Sequence, residues 1–542
     1  MTRLHMPPCG PSAWRRPLQV LGAALVGGAM SLTAQAQGSV PSSPPSPSSP
    51  PLPAAISEAL KMTGLPAQAV SMVVWPVDAA TPRLDHLGQL SRQPASVMKL
   101  FTTGSALVSL GPAFTWRTDA GLGGPLSAEG RLAGPLYLRG SGDPSLVLEN
   151  LWLMMLRWRA AGLHDIQGGI VIDRSAFDLP AHDPAAFDAS PLKPYNAGPD
   201  ALMLNHQAVT LRFMRDSARP DRIRVTMEPE LAGVRLDNQV KLLRNGECGN
   251  WREGLDIDLS PDEHTAHQTD AQSGAAPWTL RVRGPYPANC QTREWPLLWQ
   301  GNGPGDHAAR LLQRLWTQAG GHVGGTLRDG QALGSGEVVV RPGTWPADVT
   351  VWQTWVSAPL GKVVQDINKF SNNVMARHLF LSLSPPPGPA TLEKARQAVA
   401  SQVRAATPDA RWAGSPGRSM CDGDALVLDN GSGLSREERA SADCLARWIQ
   451  AMWASPMMPE FLASLPVSGV DGTARRMNGA SGRAHVKTGS LEGVSAIAGI
   501  VLGDSGQRHI VVAIVNHPQA QAARPVMEAL LGWAMRDRGD QN

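Results

Sequence analysis

A chain of 542 residues is too long to close around one hydrophobic core, so two or three domains are expected. Its 42% hydrophobic and 18% charged residues have the balance of a folded protein, and a net charge of +3, from 49 basic and 46 acidic side chains, excludes an electrostatic partner such as nucleic acid. No polybasic stretch and no basic patch interleaved with aromatics interrupts that balance.

Arg3, Arg15 and Arg16 precede an apolar run from Leu18 to Leu32, and Ala34-Gln35-Ala36 follows it. Charge, apolar run and small residues in that order predict a secretory signal peptide over residues 1–36, cleaved after Ala36, and a mature form with no transmembrane anchor. An uncleaved anchor is the alternative, but the run is short and contains Gly27 and Gly28. Cys9 lies ahead of the run, which speaks against a lipoprotein. Residues 37–55 are rich in Pro and Ser and read as a partly extended tether. Beyond the signal stand Cys248, Cys290, Cys421 and Cys444, an even number that points to two disulfides in an exported chain. Of the three pairings, the two local ones, Cys248 with Cys290 and Cys421 with Cys444, are preferred. Free buried thiols are the plain alternative, and the lack of any C-x-x-C spacing argues against zinc.

Next in chain order come a helix over Ala54 to Met62 and a strand over Val70 to Val77. A further helix begins near Pro94 and runs through Leu100, Phe101, Leu107 and Leu110 to a stop at Gly111-Pro112. Ser96 falls in its first turn, where unpaired N–H groups and the helix dipole stabilise negative charge. Short strands such as Leu136 to Arg139, Gly169 to Ile172, Arg222 to Met227 and Leu280 to Val282 then alternate with Gly, Pro and Asp turns, and read as one or two β-rich domains. A helical stripe returns with Val363, Val364, Ile367 and Phe370, delivering Ser371-Asn372-Asn373 at its end. Ala484 to Leu491, Val494 to Val501 and Ile510 to Val515 follow as antiparallel strands, and a helix from Arg524 to Met535 closes the chain. Joined to the 70–77 strand, the last three make a mixed sheet drawn from both ends of the chain. The middle must then be an insertion.

Three short runs carry the chemistry. Ser96-Val97-Met98-Lys99 places a lysine one helical turn from a serine, where its amine can take the hydroxyl proton. Ser371-Asn372-Asn373 and Lys487-Thr488-Gly489 complete the pattern of an active-site serine hydrolase of the penicillin-recognising kind. In that arrangement Ser371 relays a proton to the leaving group, and Asn373 orients Lys99 or the substrate amide. Lys487 and Thr488 hold a carboxylate. Gly489 leaves room for substrate along the strand edge, and the backbone N–H groups of Ser96 and Ser490 form an oxyanion hole. A second S-x-x-K at Ser190 to Lys193 is interrupted by Pro191 and followed by Pro194, so no helix can align its serine and lysine, and it is set aside. Taken singly, each run is also what a solvated polar turn looks like. The glycines of 301–305 lack a P-loop lysine, His264 and His267 lack a third ligand and read as surface, and Asp422-Gly423-Asp424 lacks calcium-loop spacing. No metal and no cofactor is expected.

Beyond the three motifs, Asp366-Ile367-Asn368-Lys369, the run Asp429 to Arg436, Val470-Asp471-Gly472-Thr473 and Val486 to Leu491 resemble the class C low-molecular-mass penicillin-binding proteins, the D-alanyl-D-alanine carboxypeptidase/endopeptidases. Within the insertion, Leu138 to Pro144 and Ile172 to Phe177 resemble them too. The resemblance implies an α+β fold: a serine-β-lactamase/DD-transpeptidase-like domain, with an antiparallel sheet flanked by helices, split by two inserted β-rich domains. It implies residues 56–117 and 346–542 for the peptidase domain, 118–195 and 324–345 for inserted domain II, and 196–323 for inserted domain III. The expected activity is that of a periplasmic serine DD-peptidase, which trims or cleaves peptidoglycan stem peptides through an acyl-enzyme and is trapped covalently by β-lactams. Asp173 is implied as the contact for the second amino group of the stem's diamino acid, with Arg436 and Glu492 as further substrate contacts. Glu492 stands where an amide is expected. A β-lactamase would need a dedicated deacylating base, yet no Glu-x-x-Leu-Asn run lies between Asn373 and Lys487. A non-catalytic envelope-binding protein would not need Ser96, Lys99 and Lys487 intact.

Overall fold

All seven residues of the strand Val70–Pro76 are buried, because both faces of its sheet are covered. Its alternate side chains serve two cores. Val70, Met72 and Val74 pack with Ile56, Leu60 and the closing helix Arg524–Arg536, whereas Val73 and Trp75 pack with Val97, Leu100 and Phe101 on the opposite side. The strand Arg508–Asn516 divides in the same way, with Val511, Ala513 and Val515 on one face and Ile510, Val512 and Ile514 on the other. Each such burial contributes roughly 1.5–3 kcal/mol. The strands are ordered Leu84–His86, Val70–Pro76, Arg508–Asn516, Val494–Leu502 and Ala484–Leu491. Every pairing is antiparallel, so the sheet is not mixed as its first strand suggested.

The computed structural model describes residues 51–261, 277–301, 305–323, 328–329, 339–340, 345–408 and 419–537. The expected signal peptide, most of the Pro/Ser-rich tether, His264, His267 and the middle of the 301–305 run lie outside the described residues. Among the described residues, no helix is long and apolar enough to cross a membrane.

Between Arg117 and Val356 the chain builds separate small sheets around a core of its own, reaching from Ala120 to Trp316. The expected strands are present as Leu136–Gly140, Ile170–Asp173, Ile223–Glu228 and Trp278–Pro287. The helices Leu148–Ala160 and Asp306–Gln318 also lie in this stretch and pack together through Trp158 and Trp316, at 6.3 Å between ring centroids. Their signal was present: Leu151, Met154, Met155 and Trp158 follow helical spacing and are buried. The strand Val351–Val356 pairs with Arg117–Leu122 and ties the end of the insertion to its start.

The stripe of Leu360–Phe370 is buried at Val363, Val364 and Ile367 but not at Phe370, which is 70% exposed because the stripe outlasts the core by one turn. Both local disulfides are formed, Cys248–Cys290 and Cys421–Cys444. The second closes a separation of 23 residues between two fully buried positions. Replacing Cys421 and Cys444 together by Ala is expected to cost about 3 kcal/mol, read as a lowered thermal midpoint. An unchanged midpoint would mean that the bridge carries no stability.

Candidate active site

Ser96 lies in the 3₁₀ turn Ala95–Met98, which continues as the helix Lys99–Leu110. Ala95 is buried with φ at 48°, a left-handed conformation that costs a non-glycine residue about 1–2 kcal/mol. The bend it makes comes one residue before the serine. One turn on, the fully buried Lys99 donates from Nζ to Ser96 Oγ at 3.1 Å, to Asn373 Oδ1 at 2.5 Å and to the carbonyl of Ser432. Burial pushes the Lys99 amine well below its usual pKa, and the cations of Lys487 and Arg377 push the same way against the opposing charge of Glu438. An amine so placed gives up its proton far more readily than a solvated lysine. It can then accept one from the serine.

The middle motif forms a corner between two helices. Ser371 ends the helix Leu360–Phe370 in a left-handed conformation, and Asn372 caps the helix Asn373–Ser382 by accepting from the Met375 N–H at 3.0 Å. Asn372 is thus spent on structure, whereas Ser371 and Asn373 line the cleft. On the strand Ala484–Leu491, Lys487 donates to Ser371 Oγ at 2.8 Å and to the Thr488 carbonyl at 2.7 Å, and burial lowers its pKa to about 7. Thr488 Oγ1 donates to Thr473 Oγ1 at 2.7 Å, which places the Val470–Thr473 run beside Lys487-Thr488-Gly489.

Two glycines permit this convergence. A Cβ on Gly489 would lie 2.9 Å from the Pro94 carbonyl and 3.0 Å from Ser96 N, so any side chain would push the strand off the nucleophile's turn. Gly433 has φ at 80°, and a Cβ there would meet the Ala95 carbonyl at 2.1 Å.

Ser96, Ser371, Asn373 and Ser490 open onto a cleft of about 470 Å³. Arg436 and Glu492 line its wall, 3.9 Å apart, with Arg436 over the Phe187 ring at 4.8 Å. Glu492 is 94% exposed at its side chain, so the pair adds little stability and is free to rearrange around a ligand. Asp173 is not among the residues that line the cleft. It ends the strand Ile170–Asp173, is 2% exposed, and spends one carboxylate oxygen on the Ser175 N–H and the other on the Trp345 N–H, each at 2.8 Å. Asp188 lines the wall instead.

Asp188 accepts from Tyr195 Oη at 2.6 Å and from Asn196 Nδ2 at 2.7 Å, with Lys193 Nζ at 3.4 Å. Burial alone would raise its pKa, but the hydrogen bonds from Tyr195 and Asn196 and the charge of Lys193 outweigh it and hold the carboxyl below its usual value. Lys193 belongs to the second S-x-x-K. No helix aligns that copy, and Ser190 Oγ donates to the Asp188 carbonyl, yet Lys193 itself lines the cleft. The sequence signal was an acid and two aromatics, Phe187 and Tyr195, in a proline-rich loop, which has no periodicity to show where it docks.

The family model described as the D-Ala-D-Ala carboxypeptidase 3 (S13) family matches residues 52–537. A D-alanyl-D-alanine carboxypeptidase of an Actinomadura species is 29% identical over 448 residues, covering 78% of this chain and 73% of that protein. Crystal structures of penicillin-binding protein 4 from Haemophilus influenzae align at a TM-score of 0.65 and, for its complex with a β-lactam, 0.61. Each is 19% identical and covers 88% of this chain and 99% of its own, a likeness of fold.

Proposed function

The chain belongs to the D-Ala-D-Ala carboxypeptidase 3 (S13) family and is a serine-type DD-peptidase of the low-molecular-mass class C penicillin-binding proteins; we propose the following roles within its cleft. Ser96 Oγ attacks the carbonyl carbon between two D-residues of a peptidoglycan stem peptide while Lys99 Nζ, in its neutral form, takes the hydroxyl proton. The backbone N–H groups of Ser96 and Ser490 receive the negative charge that develops on the carbonyl oxygen, a contribution of about 10²–10³ per donor. Ser371, held by Lys487, passes its hydroxyl proton to the departing amine and is resupplied with the proton that Lys99 took from Ser96, and Asn373 keeps Lys99 aimed. A water then attacks the ester carbonyl and gives its proton to Lys99, which returns it to Ser96 Oγ as the ester C–O bond breaks. Lys487 and Thr488, with Thr473 beside them, hold the terminal carboxylate of the substrate, and a bound carboxylate favours the charged form of Lys487. The observation that carries this reading is the lysine amine 3.1 Å from the serine hydroxyl, with the second lysine on Ser371.

The free ammonium of the stem's diamino acid meets Asp188 in this reading, because Asp188 lines the cleft and Asp173 does not. Arg436 and Glu492 form the adjoining wall. β-Lactams acylate Ser96 by the same attack and remain attached. Cleavage of cross-links, as well as release of terminal D-alanine, fits the open cleft. The same reading places the mature chain, without a transmembrane anchor, in the periplasm. Its peptidase domain would comprise residues 56–117 and 346–542, with residues 118–195 and 324–345 as one inserted domain and 196–323 as the other. Purified muropeptides test the substrate: a monomeric pentapeptide should lose D-alanine and a cross-linked dimer should yield monomers, both followed by mass spectrometry. If neither is hydrolysed by protein that labels with penicillin, the substrate is not peptidoglycan.

A further inference from the structure

Glu438 is a buried acid that the reaction does not use. It is 1% exposed and folds back into the loop that precedes it. Its Oε1 accepts from the backbone N–H of Gly431 at 2.7 Å and of Asn430 at 3.1 Å, with the Asp429 N–H at 3.4 Å, and its Oε2 accepts from the Gly433 N–H at 2.8 Å. Burial and the neighbouring Asp429 push its pKa up, and against them the N–H groups that converge on both oxygens favour the carboxylate. Ser432 sits between the two glycines so held, and its carbonyl accepts from Lys99 Nζ. Gly433 also lies directly on the nucleophile's turn.

We propose that Glu438 is a positioning residue for Lys99, acting through the Ser432 carbonyl and through the field of its own buried charge. The proposal rests on Lys99 as the base. The charged groups facing Lys99 are Lys487, Arg377 and Glu438, and those facing Glu438 are Asp429, Arg377 and Lys99. Asp429 is itself paired with Arg396 at 2.6 Å, and Arg377, on the helix Asn373–Ser382, donates to the Ala197 carbonyl at 2.8 Å. Each added anion makes Lys99 hold its proton more tightly, and each cation makes it release the proton more easily.

The test is the pH dependence of the acylation rate with a fluorescent penicillin. Glu438→Gln removes the anion, so Lys99 loses its proton at lower pH and the acid limb moves down by about one unit. Gln also turns an amide NH₂ toward a backbone donor, so the loop slackens and the maximal rate falls roughly tenfold to a hundredfold. Glu438→Asp keeps the charge on a shorter arm; the rate falls while the limb stays in place. Both variants losing rate and thermal stability with unmoved limbs would reduce Glu438 to a structural part, and wild-type behaviour in both would remove it altogether. Should Glu438→Gln not fold, Arg377→Gln reads the same coupling from the other side. Its limb should move up, and an unmoved limb overturns the proposal. Failure of Lys99 as base is distinguished by Lys99→Met labelling at the wild-type rate.

Discussion

Ser96→Ala is expected to lower covalent labelling by a fluorescent penicillin to background, a loss of at least about 10³–10⁴-fold, while the thermal midpoint stays close to that of the wild type. In the proposed mechanism the hydroxyl oxygen forms the ester, and no other serine lining the cleft receives a hydrogen bond from Lys99 among the described residues. Ser371 is the other hydroxyl in reach, but it is held by Lys487 and sits at the end of a different helix. Stability is spared because Lys99 keeps its contacts to Asn373 and Ser432 when the third is lost, a net change on the order of 1 kcal/mol. Labelling at the wild-type level would sink Ser96 as nucleophile, and loss of labelling with a collapsed midpoint would leave the role undecided between chemistry and fold. Circular dichroism on the same sample separates the two.

Lys99→Met is expected to cost nearly as much, about 10³–10⁴-fold in the acylation rate, and the double variant with Ser96→Ala should be no worse than either alone. Residues that act as one unit fail together, since a serine without its base and a base without its serine are equally idle. Met fills the buried volume of the lysine, so the helix Lys99–Leu110 still packs. The change leaves Asn373 Oδ1 and the Ser432 carbonyl without their donor, which costs about 1–3 kcal/mol. Additive losses in the double variant would mean that Ser96 and Lys99 act in separate steps.

Much of the active site was legible because its parts carry their own geometry. An S-x-x-K run on a helix aligns its two side chains by the spacing of the helix alone, and the structure keeps that alignment across the change from 3₁₀ to α-helix at Lys99. The buried strands at the end of the chain declared themselves as runs of Val, Ile and Ala between turn residues. The cysteines required only that near neighbours pair. Where the reading failed, local pattern was present but did not decide. Phe370 continues an apolar stripe beyond the edge of its core, and the helix Leu148–Ala160 has proper spacing within a stretch whose Gly, Pro and Asp turns argued for strands.

By itself the sequence picked out Ser96, Lys99 and the two further motifs as candidates and located the elements at both ends, all of which depend on spacings of a few residues, while for the cysteines it gave only a preference for the local pairs. Only the tertiary structure shows which donors each acid meets. Asp173, Asp188 and Glu438 are each a carboxylate near a turn in the sequence, yet one caps backbone away from the cleft, one faces the cleft and one gathers the loop beneath Lys99. The physical reason is that a carboxylate takes its role from the donors that surround it. Those donors come from segments whose meeting depends on packing summed over the whole chain, not on any local period.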